Sequence, residues 1–306
     1  MKRRSMTAIA YIITFLGAAS ACSAPSPSGP PQSRTVQHES DLVLPLDTYD
    51  LTSEQRSTVQ TARYLLIERC VARFGLKFKP HNTKPIAYPK NASYLGWLGA
   101  KKVAEYGYSG PPGQREEAAA AVSGIRGYDI PRKQDAVHVG TVKTYKGRAV
   151  PSEGCDGWAQ RKLNGNAPGP DGKVPAKPHI YKNLYVLMDD AAIAAYNHPQ
   201  VQAAGSAWSE CMRASGLIYP DPPSAESDKR WAGRGGQDSA GQPPGMDEIA
   251  VSVADEACRL KVDYSGARKR AYASAQGKII AANRPTLDRL SGLLKVRYAN
   301  AVKILP

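Results

Sequence analysis

Apolar residues recur every three or four positions along most of this chain, the spacing of helices that bury one face. Val59, Ala62, Leu66, Cys70 and Phe74 form the first stripe. Thr52 and Gln55 open it in capping-box spacing, and Gly75 closes it where a left-handed cap is expected. A helix over 52–74 follows, with Cys70 turned toward the core. After a proline-interrupted stretch, residues 95–106 and 114–122 read as short helices. Residues 136–145 have β character and supply the one credible strand pair. Cys155, Ala159 and Leu163, with Trp158 beside them, again give a helical stripe carrying a cysteine.

Residues 165–177 break the pattern, and a helix over 181–196 begins the second half. Beyond Pro199, Val201, Ala204, Trp208 and Cys211 share a face that Gly216 closes as Gly75 closed the first. The stretch 220–244 is rich in Pro, Gly, Ser and Asp and is expected to be a mobile insert. Helix resumes at Asp247 and Glu248, whose charges suit an N-terminus, and Ala250, Ala254 and Cys258 line up after them. The final apolar series runs from Ala271 to Leu305, as one long helix or two kinked at Pro285.

The fold class expected is therefore mainly α: an irregular multi-helix domain with long loops and at most a minor β-hairpin. A faint repeat divides it. Cys70-x-x-x-x-Gly75-Leu76-x-Phe78 recurs as Cys211-x-x-x-x-Gly216-Leu217-x-Tyr219, and Glu153-Gly154-Cys155 has a counterpart in Glu256-Ala257-Cys258. Either a duplicated helix pair or shared capping chemistry explains this. Four cysteines allow three pairings. The repeat favours Cys70 with Cys155 and Cys211 with Cys258, giving two disulfide-stapled halves, about 46–165 and 178–306.

The first residues read as an address. Lys2-Arg3-Arg4 precedes an apolar run from Ala8 to Ala19, and small residues lead to Cys22. The run is shorter than the roughly 20 residues a spanning helix needs. Ala19-Ser20-Ala21-Cys22 is lipobox-like, with Ala where Leu is usual, so residues 1–21 are expected to be a signal peptide and Cys22 the lipidated residue. Residues 22–45 would be a Ser/Pro-rich tether and 46–306 the helical exported domain. Removing Cys22 from the five cysteines leaves an even set, suited to an oxidising compartment. The expected location is the outer face of the cytoplasmic membrane, through a lipid anchor; the alternative is secretion into the medium.

Charge adds a class of partner. The 306 residues carry 41 Lys and Arg against 27 Asp and Glu, a formal +14, of which Lys2, Arg3 and Arg4 belong to the leader. An anionic envelope polymer, anionic lipid or a membrane protein fits this balance outside the cell, and no nucleic acid is expected there. Arg268, Lys269 and Arg270 are the foremost anionic-surface candidates, followed by Lys101-Lys102 and the loop 143–148. Tyr88, Tyr94, Trp97, Tyr106 and Tyr108 concentrate rings near loops, where they either stack on a sugar or peptide or plug gaps between helices.

Catalytic patterns are scarce. His-Glu-x-x-His, Cys-x-x-Cys and phosphate-cradling glycine loops do not occur, and Asp238-Ser239-Ala240-Gly241 lacks the first glycine of a nucleophile elbow, having Gln237 there. His38, His81, His138, His179 and His198 are scattered, with His198 placed to serve a helix start. The neighbours Asp189-Asp190 and Asp255-Glu256 point about 100° apart on a helix and read as solvated positions. No catalytic, cofactor-binding or metal residue is assigned, and no cofactor is implied.

Several motifs stand together: the leader, Trp208-Ser209-Glu210-Cys211-Met212 leading to Gly216, the Pro-rich insert, and Ala254-Asp255-Glu256-Ala257-Cys258-Arg259. With Tyr106-Gly107-Tyr108 and Gly154-Cys155, this combination resembles a family of secreted lipoproteins of actinomycetes whose function is unknown. The resemblance spans most of the exported chain. It implies a location and a paired-cysteine scaffold, and neither a reaction nor a ligand. The expected function is an extracytoplasmic, membrane-anchored, non-catalytic binding or interaction module of the envelope. The alternative is an envelope-directed hydrolase whose groups converge only in three dimensions.

Overall fold

Thr52 accepts the backbone N–H of Gln55 at 3.2 Å while the Gln55 side chain accepts the N–H of Thr52 at 3.1 Å, and this reciprocal cap starts α1 (Ser53–Ala72). The structure, a computed structural model, describes residues 36–78, 89–110, 132–169, 171–174, 181–231 and 243–306. After α1 come α2 (Ala92–Leu95), α3 (Ala100–Tyr106), α4 (Arg132–Val139), the hairpin strands β1 (Thr144–Tyr145) and β2 (Arg148–Ala149), and α5 (Gly154–Asn164). The chain continues through α6 (Tyr181–Tyr196), α7 (Pro199–Ala214), α8 (Pro222–Glu226), α9 (Met246–Lys261) and α10 (Tyr264–Ile304). Short 3-10 turns lie at Glu39–Asp41, Pro45–Tyr49 and Gly107–Ser109. The mainly helical fold with one small antiparallel hairpin is the one its periodicity predicts. The expected helix over 114–122 lies outside the described residues.

The two bridges join Cys70 to Cys155 and Cys211 to Cys258, with Cα atoms 5.5 and 5.7 Å apart. Each sits in its own apolar cluster. Around Cys70–Cys155 pack Val59, Ile67, Val137, Leu163 and Leu184, closed by Leu287, Leu290, Leu293 and Leu294 of α10. Around Cys211–Cys258 pack Trp208, Met212, Ala225, Trp231 and Val251. A third cluster includes Leu42, Leu44, Leu95, Ala191, Ala271 and Tyr272.

The stapled clusters are not consecutive halves of the chain. The helix α10 runs unbroken through Pro285 for 41 residues, about 60 Å at 1.5 Å per residue, so its end packs on α1 and α5 while its start packs on α7. In exchange, α3 lies on α9. The boundary expected between 165 and 178 is thus crossed in both directions.

Four segments differ from their sequence reading. The helix expected over 95–106 is interrupted between Gly96 and Gly99, both at positive φ, so that α3 begins only at Ala100. The tether does not extend to residue 45: Val36, Leu42 and Leu44 are buried, and Asp41 Oδ2 accepts the N–H groups of Gln37 and His38. The insert is packed over its first part, where Asp221 caps α8 and Trp231 donates to Ala225 O at 2.9 Å, while 232–242 lie outside the described residues. Residues 136–139 are helical rather than strand. There Val137 is buried in the first cluster, so tertiary packing overrides the β preference of valine.

Gly140 and Gly154 let α4 and α5 meet backbone to backbone. Both have positive φ, +77° and +67°, and a Cβ on Gly154 would overlap the carbonyl of His138.

Candidate functional site

The helix α9 places Asp255 on the face it turns inward, where the carboxylate has 0% exposure. Four donors converge on it. Trp208 Nε1 on α7 donates to Oδ1 at 2.7 Å, Arg259 Nε to Oδ1 at 2.6 Å, Arg259 Nη2 to Oδ2 at 2.9 Å, and the Tyr108 hydroxyl to Oδ2 at 2.9 Å. Arg259 is equally committed, donating also to Gly96 O at 2.7 Å and to Glu226 Oε1 at 2.8 Å. Burial works against its charge, but Asp255 and Glu226 more than offset this and hold its pKa above the ordinary guanidinium value. Burial, then the Asp255 charge, pushes the Tyr108 phenol up.

Two further carboxylates of α9 are inside. Glu248 Oε1 accepts the N–H of Tyr108 at 3.0 Å, and Glu256 Oε1 accepts that of Gly99 at 3.1 Å. Burial raises the Glu256 carboxyl above its ordinary pKa, opposed by the nearby Arg259. The expectation that Asp255 and Glu256 are solvated is corrected by these contacts. They do point 100° apart, but α7 covers one direction and the 96–99 loop the other, so both side chains meet protein.

Glu256 and Arg259 also form one wall of an open cleft of about 290 Å³. Val36, Gln37 and Leu260 also line it, with Asp263 and Ser265 at the α9–α10 junction. Asp263 pairs with Arg270 at 2.8 Å, and Ser265 Oγ donates to Gly96 O at 3.2 Å. The cleft thus combines carboxylates with short apolar walls.

The other sequence candidates divide. Arg268 is built into the fold: its Nε donates to Tyr94 O at 2.8 Å and its guanidinium lies 5.6 and 5.8 Å from the centres of the Tyr264 and Tyr272 rings. Arg270 is paired with Asp263, and Lys269 acts on the Asp41 carboxyl, so the three do not form one free basic surface. Lys143 and Lys146 at the hairpin are exposed. His198 caps α7 by accepting Gln200 N–H at 3.3 Å, and His138 stacks on Phe78 in the interior. Tyr94 packs on Tyr272 and Tyr108 on Trp231, each pair with centroids 5.7 Å apart. Cys22, Tyr88, His81, His179 and Asp238-Ser239-Ala240-Gly241 lie outside the described residues.

Sequence reasoning missed the Asp255 cluster. The i,i+4 spacing of Asp255 and Arg259 is its one local signal, and that spacing is a usual one on solvated helix faces. Two disulfides indicate an oxidising, extracytoplasmic environment. Among the described residues no group of three or more His, Cys, Asp or Glu could hold a metal ion, and no helix is long and apolar enough to cross a membrane. The chain matches no family model, no curated protein and no solved structure.

Proposed function

We propose that this protein is a lipid-anchored binding module of the cell envelope, tethered through Cys22 outside the cytoplasmic membrane, of the kind its leader and cysteine motifs resemble. The cleft at the α9–α10 junction is its ligand site. The observation that carries this reading is Glu256, a carboxyl with only 3% exposure set in the wall of an open cleft. With Asp263 near it and Val36 and Leu260 as apolar walls, the cleft fits an amine- or amide-bearing group on a short apolar stem. Anionic envelope material would meet the hairpin at Lys143 and Lys146 instead.

Arg259 and Asp255 hold the wall rigid, and a preformed wall lowers the ordering cost of binding. The hydrolase alternative would draw on Glu256 as an acid, but the hydroxyl among the cleft-lining residues, Ser265, donates to Gly96 O.

The test is a photo-crosslinker at Gln37 on intact cells, with the captured species identified by mass spectrometry. Glu256→Gln is expected to abolish capture while the protein keeps the wild-type helical content, as far-UV circular dichroism of the variant checks. Capture unaffected by Glu256→Gln removes the cleft from the reading, and release of fragments from wall polymer by the purified protein replaces binding with hydrolysis.

A further inference from the structure

The outward face of α9 is apolar along its whole length. Met246, Ala250, Val253, Ala257 and Leu260 are all exposed, Met246 at 87%, Val253 at 42% and Leu260 at 44%. Their 4-3-4-3 spacing puts them within an arc of roughly 80° at 100° per residue. That arc lies opposite Val251, Asp255 and Cys258, which face the core. A solvated helix face normally carries charge here, as this helix does only at its ends.

We propose that this face pairs with the same face of a second copy of the chain, the two α9 helices running antiparallel. Charge and shape both select that occupant. Asp247, one position after Met246, and Lys261, one after Leu260, lie on the same flank of the stripe at opposite ends of the helix. Among the described residues neither makes an ion pair. Antiparallel pairing brings Asp247 of each copy beside Lys261 of the other, whereas parallel pairing would keep the two charges a helix length apart. Along the stripe large residues alternate with alanines, so Val253 and Leu260 of one copy can seat over Ala257 and Ala250 of the other while Met246 packs at the partner helix's end, and the alanines let the helices approach closely.

The pairing is weak by construction. One helix face falls short of the roughly 1,200 to 2,000 Å² that stable interfaces bury, so dissociation constants of about 10 to 100 µM are expected in solution. Anchoring in one membrane would raise the effective concentration enough to populate the pair. Leu260 also borders the cleft, so pairing brings the partner's helix to its mouth.

The test is sedimentation equilibrium of the full exported chain with Cys22→Ser, over about 5 to 500 µM. A monomer–dimer equilibrium is expected. Val253→Asp should weaken it at least tenfold, and Lys261→Glu should weaken it several-fold. Adding Asp247→Lys to Lys261→Glu should restore association, because the pair is swapped. All three side chains of α9 are exposed, and reversing a charge at a helix end costs at most about 1 kcal/mol, so melting temperatures should stay near wild type, which keeps a folding defect distinguishable. A wild-type chain that is monomeric throughout overturns the proposal, whatever else then covers the face. So does a dimer indifferent to Val253→Asp, and failure of the charge swap to restore association overturns the antiparallel arrangement. These outcomes do not depend on what the cleft binds.

Discussion

Trp208 and Asp255 stand 47 residues apart in the chain, yet the indole Nε1 of one donates to Oδ1 of the other at 2.7 Å with neither side chain exposed. The bond ties α7 to α9 one turn from the Cys211–Cys258 bridge. A buried carboxylate is tolerated there because an indole, a phenol and a guanidinium together satisfy its oxygens.

Asp255→Ala should therefore destabilise by about 3 kcal/mol or more, since it leaves Arg259 buried with Glu226 as its remaining carboxylate. Denaturant unfolding of the oxidised protein measures this. A loss below about 1 kcal/mol would mean that the cluster is solvated in solution.

Removing each bridge by paired Cys→Ser substitution separates the two cores. The loops closed are 85 residues for Cys70–Cys155 and 47 for Cys211–Cys258. Chain entropy gives about 4.5 and about 4 kcal/mol respectively, less any strain. Both variants should melt well below wild type, the first slightly lower; equal stability with and without reductant would contradict the bridges.

Gly154→Ala and Gly205→Ala are expected to act in opposite directions. At Gly154 positive φ and the His138 carbonyl together should cost about 2 to 4 kcal/mol. Gly205 lies within α7 with nothing within 4 Å of an added Cβ, so alanine there should stabilise by about 0.5 to 1 kcal/mol. Thermal melts of the two variants decide it.

Alkaline titration should unfold the protein late. Burial, followed by the charge of Asp189, pushes the Tyr94 phenol up to about 12 from an ordinary value near 10, and Tyr108 and Tyr272 are raised as well. A folded-state pKa above the unfolded one means the stabilisation is complete below pH 10 and is lost as pH rises through 12. Unfolding midpoints from pH 9 to 12, read beside tyrosinate absorbance, should fall across that window. Tyrosines ionising together near pH 10 in the folded protein would contradict the burial.

Cys22→Ser should move the protein from the membrane fraction to the medium. Mass spectrometry of the wild-type N-terminus should find a lipid on Cys22. An unmodified terminus, or wild-type protein wholly in the medium, would leave simple secretion.

How much was legible varies by element. The cap at Thr52 and Gln55, the closing glycines Gly75 and Gly216, and the stripe through Cys70 are all local signals, and each lies where its spacing predicts. The strand pattern over 136–145 lies a few residues before the hairpin because Val137 and Val139 look like strand until the cluster that buries Val137 is known. Val36, Leu42 and Leu44 are too sparsely spaced among polar neighbours to announce that they are packed.

Sequence by itself determined the long helices α1, α5, α7 and α9 and the apolar stripes they bury, because those properties depend on neighbours within one or two turns. Tertiary structure alone decided that α10 serves both stapled cores, that α3 crosses to α9, and that Asp255 and Glu256 are interior. The physical reason is that burial of a charge is set by the donors that reach it, and for Asp255 these are Trp208 and Tyr108, 47 and 147 residues away. A helical period carries no information about what lies that far along the chain.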